Sequence, residues 1–92
     1  MKINFYIDPE TEEPHIFKHY VAEKENFDFF TTIAYFEYKR KDISYEAFGK
    51  FPRGRFLQVA YRKMQDGSIF VITAYDIEDK EMINYIEDKI WK

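Results

Sequence analysis

The spacing of apolar residues changes several times along this 92-residue chain, and each change marks an element. Ile3, Phe5 and Ile7 alternate with Lys2, Asn4 and Tyr6, a strand pattern that Asp8-Pro9 ends. The acidic stretch 10–13 reads as a solvated loop running up to Pro14, and HIFKHY at 15–20 predicts one or two helical turns. From about 23 to 34 the spacing is helical. Phe27, Phe30 and Ala34 share one stripe, Phe29, Ile33 and Phe36 share the next, and Val21 is placed to act as a staple ahead of them. The aromatic cluster from Phe27 to Phe36 therefore reads as core.

After a charged loop or strand start at 38–42, Ile43, Tyr45 and Ala47 alternate with Ser44, Glu46 and Phe48, a second strand ending at Gly49. Pro52 and Gly54 make a tight connection. In the third strand Leu57, Val59 and Tyr61 face one way, and Phe56, Gln58, Ala60 and Arg62 the other. Asp66-Gly67 marks a hairpin turn. The fourth strand, 69–75, is apolar on both faces and so is expected to be central. Asp76 is placed to cap a last helix over 77–91, with Glu78 and Asp79 near its positive end and Ile83, Ile86 and Ile90 on its buried stripe.

The resulting order, β-α-β-β-β-α, predicts an α+β fold in a single domain spanning residues 1–92. Strands two to four form an antiparallel meander within a small antiparallel sheet, and the helices cover one face. Composition supports a core even at this size: 46% of residues are hydrophobic and 21% aromatic. The chain has no Cys, which excludes a disulfide framework and a thiolate metal site. The opening residues carry no apolar run of the kind a signal peptide has, and no window reaches membrane-span length, so the expectation is a cytoplasmic protein with no membrane partner.

Charge adds the first functional hint. The chain is −3 overall, yet residues 39–63 hold Lys39, Arg40, Lys41, Lys50, Arg53, Arg55, Arg62 and Lys63 against Asp42 and Glu46, a block of +6 flanked by acidic ends. All four arginines lie in that block. Concentrated positive charge on an acidic chain predicts one positive face that meets an anionic partner locally.

Four pieces then carry a resemblance: FYIDPE near the start, HIFKHYV before the first long helix, FGKFPRGRFLQVAYR, and IFVITAY before a charged terminal helix. In this order, over nearly the whole chain, they resemble the BrnT-like group of the RelE superfamily, or a bacterial family close to it. The resemblance implies a ribonuclease toxin paired with an antitoxin, with RNA as substrate and no cofactor or metal. In BrnT-like toxins the fourth strand usually ends in a Ser-Ala-Arg type segment whose Arg is thought to act on the phosphate. Here the segment is Thr73-Ala74-Tyr75, which puts Tyr75 at that position. The terminal region, basic in many relatives, is acidic here.

Metal-independent RNA cleavage needs a base for the 2′-OH, cations around the phosphate and an acid for the 5′ oxygen. His19 is the natural proton carrier. Arg53, Arg55, Lys50 and Arg62 are candidates for the charge clamp, and Tyr75 for positioning a phosphate oxygen. Lys39, Arg40 and Lys41 are candidates for RNA binding, and Tyr38 and Tyr45 for stacking on bases.

Each residue also has a plainer role. His19 can cap a helix, Arg62 can pair across strands with Glu46, 39–41 can be a solvated loop, and Tyr75 can simply finish a strand. His15 and His19 lie four apart, a zinc-like pair that lacks a third ligand. A non-catalytic interaction domain of the same fold, binding protein or nucleic acid, is the alternative to a toxin nuclease.

Overall fold

The computed structural model describes residues 2–31, 35–51 and 54–91. Five strands form one mixed sheet: β1 Ile3–Phe5, β2 Tyr35–Lys39, β3 Ser44–Lys50, β4 Phe56–Lys63 and β5 Ile69–Asp76, in the order β1-β5-β4-β3-β2. A 3₁₀ turn, His15–His19, and two α-helices, α1 Glu23–Thr31 and α2 Lys80–Trp91, complete this small α+β domain.

The expected meander is present as β3-β4-β5, antiparallel throughout. Its β4–β5 hairpin closes at Asp66-Gly67. Gly67 takes φ 86°, and the Asp66 carboxylate accepts the Ser68 amide at 2.9 Å. Two expectations about the sheet need correction. Tyr35–Lys39 is a strand, antiparallel to β3, and Phe36 belongs to it rather than to a helical stripe. The sheet is also mixed, because β1 pairs parallel to β5, Ile3 opposite Ile69.

The helices do not share a face. Neighbouring residues on a strand point to opposite sides. Ala47 and Leu57 pack with Phe29 and Phe30 of α1, whereas Phe48 and Phe56, one position away in each strand, pack with Ile86 of α2. α1 therefore covers one face and α2 the other. The α1 side holds the larger core. Phe29 and Phe30 meet Tyr35 and Tyr61, the closest pair being Phe30 and Tyr61 at 4.8 Å between centroids. Phe27, expected in that core, is 46% exposed. Ile33, Ala34, Pro52 and Arg53 lie outside the described residues.

Asp76 also departs from expectation. It ends β5, and α2 starts at Lys80 with the Asp79 carboxylate accepting the Glu81 amide at 3.2 Å. Among the described residues, no helix is long and apolar enough to cross a membrane.

Cross-strand partners lie on the same face of a sheet. One such row on the α2 face runs Phe36, Phe48, Gln58, Tyr75, and the next runs Tyr38, Glu46, Ala60, Thr73. α2 contacts β2 and β3, at one end of these rows. The β5 end, Thr73 and Tyr75, is met by the 3₁₀ turn. A bulge on β5 sets the geometry there. Ala60 pairs with Thr73 but Tyr61 pairs with Val71, leaving Ile72 as the extra residue.

Candidate functional site

The chain turns back at Asp8-Pro9, and the 3₁₀ turn after Pro14 lies along the part of β5 beyond the end of β1. Ile16 pins the turn into the α1-side core, where it is 1% exposed. This leaves His15, Lys18 and His19 on the outer side. Together with Tyr20, Thr73, Tyr75, Asp76 and Glu78 they line an open cleft of about 570 Å³.

Asp8 organises one wall. It is 5% exposed, and its carboxylate accepts the Glu10 amide at 2.9 Å, Lys18 Nζ at 2.7 Å and His15 Nδ1 at 3.2 Å. The Lys18 hydrogen bond is the main reason the Asp8 carboxyl sits well below the usual carboxylate range. The Glu10 amide and His15 act in the same direction. The same contact raises Lys18 and keeps it charged. With the Asp8 carboxylate ionised, His15 Nδ1 is the donor in this contact and Nε2 lies outside it.

Four rings follow one another in edge or tilted contact, the last three of them lining the cleft. Tyr6 and His15 have centroids 6.2 Å apart, His15 and His19 5.4 Å, and His19 and Tyr75 5.7 Å. Burial, with Glu46 adding to it and Arg40 opposing, raises the Tyr75 hydroxyl and keeps it a proton-bearing donor. Thr73 Oγ1 is buried beside the cleft and has no hydrogen-bond partner among the described residues. The cleft thus joins two imidazoles, an ammonium group and the phenols of Tyr20 and Tyr75, with the carboxylates of Asp76 and Glu78 on the same lining.

His19 and Tyr75, both singled out from sequence, lie in ring contact at this cleft. Among the described residues, no arginine lines it. Arg55 is the hub of a clamp. Its guanidinium bonds the carboxylates of Glu25 and Asp76, and its Nη2 donates to the Tyr20 carbonyl at 3.1 Å. Glu25 also accepts the Ala22 amide at 2.9 Å, closing the start of α1. These bonds raise the Arg55 pKa, the Asp76 contact most strongly. With two carboxylates and a carbonyl around it, Arg55 holds the cleft wall in place and does not offer a phosphate site. Arg53 lies outside the described residues.

Arg62 stands opposite Ser44 rather than Glu46, and Lys50 lies six positions further along β3, roughly 20 Å from that end at strand rise. The two therefore do not line one groove. Lys50 is 3.8 Å from Glu87 and lies over the Phe56 ring. Arg40 is 3.7 Å from Glu46, and Lys63 is 2.6 Å from Glu37. Lys39 and Lys41 are exposed at and just beyond the end of β2. The expected single positive face is thus largely met by acids from both ends of the chain: Glu25 and Glu37 before it, Asp76 and Glu87 after it. Tyr38, 44% exposed, bonds Tyr85 at 2.6 Å between hydroxyls, and Tyr45 stacks on Tyr61.

Sequence reasoning passed over Asp8, Lys18, Tyr20 and Thr73. Asp8 was read only as a strand stop. The available signal was Lys18 lying between two histidines with an acid seven residues before the first. Among the described residues, no group of three or more His, Asp or Glu is placed to hold a metal ion. Comparison of the chain with protein-family models, curated proteins and solved structures found no match to any of them. The fold and the cleft chemistry are therefore what bear on function.

Proposed function

We propose that the cleft is the active site of a metal-independent endoribonuclease, acting as the toxin of a toxin–antitoxin pair. The observation that carries this reading is the convergence of His15, Lys18, His19 and Tyr75 around one open cleft, with Asp8 buried behind His15. Two imidazoles near one phosphate supply both proton transfers the reaction needs. His19 takes the proton of the ribose 2′-OH, whose oxygen attacks the adjacent phosphorus. His15, as an imidazolium held by Asp8, gives its proton to the leaving 5′ oxygen as the P–O5′ bond breaks. Lys18 and the hydroxyl of Tyr75 bear on the phosphoryl oxygens, where negative charge grows in the transition state. The products are a 2′,3′-cyclic phosphate and a 5′-hydroxyl end.

The histidines, not the arginines, hold the chemistry in this reading. The BrnT-like resemblance supplies the biological frame: growth arrest by RNA cleavage, relieved by a cognate antitoxin. A second reading, a non-catalytic interaction domain, draws on Glu78 at the cleft and on Arg40 and Arg55, already engaged by internal acids.

The test is direct. Purified protein is incubated with single-stranded RNA in excess EDTA and the product ends are mapped. Cyclic phosphate and 5′-hydroxyl ends, together with slowed growth on induced expression, are the expected results. Intact RNA in the presence and absence of divalent cations, and unaffected growth, would favour the interaction domain.

A further inference from the structure

We propose that Tyr20 is a nucleobase platform on the lip of the cleft, stacking on a base beside the phosphate that the histidines address. The proposal rests on the ribonuclease reading of that cleft. Tyr20 ends the 3₁₀ turn with φ 59° and ψ 34°, its amide donating to the carbonyls of Ile16 and Phe17. That left-handed conformation suits glycine and disfavours a bulky residue. Tyr20 is 89% exposed, the most exposed large apolar side chain among the described residues, so burial does not account for it either. Glycine would serve the fold at least as well.

The backbone beneath the ring is nonetheless firmly held. The Tyr20 carbonyl accepts from Arg55, which is tied to α1 through Glu25 and to β5 through Asp76. A flat ring on a braced backbone loses little freedom when it binds, and this is what a stacking residue requires.

Its neighbours indicate the ligand. The ring shares the cleft with Lys18, His15, His19 and Thr73. It offers an exposed π surface among polar groups, unlike the contiguous apolar area on which a protein interface centres. A planar base attached to a phosphate satisfies both halves of the site. Stacking of this kind tolerates any base, so the platform positions the strand and does not read its sequence.

The experiment uses the full chain and a short, uniformly 2′-O-methylated oligoribonucleotide, which lacks the attacking hydroxyl and stays intact. A matching set carries one abasic residue at each position in turn. Tyr20→Gly should melt at the same or a higher temperature yet bind the parent strand about 5- to 150-fold more weakly, the range that loss of one base–aromatic stack gives. Tyr20→Trp should retain affinity. One abasic position should cost wild type a similar factor and cost Tyr20→Gly little. Equal affinity of Tyr20→Gly and wild type, equal abasic penalties in both proteins, or a lowered melting temperature in Tyr20→Gly would each overturn the platform while leaving the ribonuclease reading in place. A wild type that binds the parent strand no better than the fully abasic one would overturn the platform as well, and one that binds neither would sink both readings.

Discussion

Two ionic centres flank the cleft, and they are charge inverses. At Arg55 one cation faces two carboxylates, Glu25 and Asp76. At Asp8 a buried carboxylate faces two basic side chains, Lys18 and His15, with the exposed Glu10 carboxylate 3.9 Å from Lys18. Both hold backbone as well: Arg55 grips the Tyr20 carbonyl, and Asp8 accepts the Glu10 amide. The difference lies in what remains for a ligand. The arginine is saturated by acids and acts as a brace. The aspartate is met by two basic side chains that themselves line the cleft, so a ligand there has cations within reach. A cation's local surplus over its partners, more than its place in a basic stretch of sequence, decides whether it can meet an anion.

Breaking the Asp8 centre should have the largest effect on chemistry. Asp8→Asn keeps the shape but removes the charge that orders His15 and Lys18. RNA cleavage at saturating substrate should fall about tenfold or more, as loss of such a supporting carboxylate does elsewhere. The same variant sharpens the comparison through pH. Because the folded Asp8 carboxyl is held below its ordinary value of 3.8, its stabilising effect is present above that value and fades as the pH falls through the folded one. The acid limb of a melting-temperature profile should therefore be shallower in Asp8→Asn than in wild type.

Breaking the Arg55 centre should act on the fold instead. Arg55→Ala leaves Glu25 and Asp76 facing one another and is expected to cost about 1–3 kcal/mol in a denaturant titration, with the partial exposure of the pair keeping it from the high end for buried pairs. Cleavage by the folded fraction should change less than in Asp8→Asn. A variant of full stability that had lost all activity would reverse the roles assigned to the two centres.

A smaller effect should appear on the α1 face, distant from both centres. Tyr61 donates to Glu37 at 2.7 Å, and Lys63 neutralises the same carboxylate at 2.6 Å. Burial first, and then Glu37, raise the Tyr61 hydroxyl far above its ordinary value of 10.0. Its contribution is complete below that value and declines as the pH rises past it, where the unfolded chain ionises and the folded one does not. Tyr61→Phe should flatten the loss of stability above about pH 10, followed by circular dichroism in alkaline buffers. An unchanged alkaline limb would remove Tyr61 from that account.

The sequence revealed much of this fold where periodicity was strong. β3, β4 and β5, their hairpin at Asp66-Gly67 and the buried Ile86 all follow from spacing and turn chemistry. β2 was hidden because its five residues, YFEYK, continue an aromatic run that also fits a helix, and pairing with β3 decided between them. The parallel β1 was unreadable for a related reason: sequence neighbours suggest hairpins, whereas β1 pairs with the most distant strand. Opposite placement of the helices was implicit in Phe48 and Phe56, apolar residues on strand positions facing away from Ala47 and Leu57.

For the site, His19 and Tyr75 were legible as chemistry, but their meeting depends on how the 3₁₀ turn lies on β5. Arg55 misled because a linear charge count ignores the distant acids, Glu25 and Asp76, that folding brings to it.

The claim that histidines rather than the basic block carry function is tested most directly by single-turnover RNA cleavage at saturating protein. Two variants matched to wild type for melting temperature are compared. One is His19→Ala, and the other is a triple variant in which Lys39, Arg40 and Lys41 are each changed to Ala. The account predicts that His19→Ala loses about 100-fold or more in rate while still binding RNA, the scale of a missing general acid or base. The triple variant should cleave at close to the wild-type rate once saturated. A triple variant that binds but no longer cleaves, beside a His19→Ala protein of undiminished rate, would contradict it.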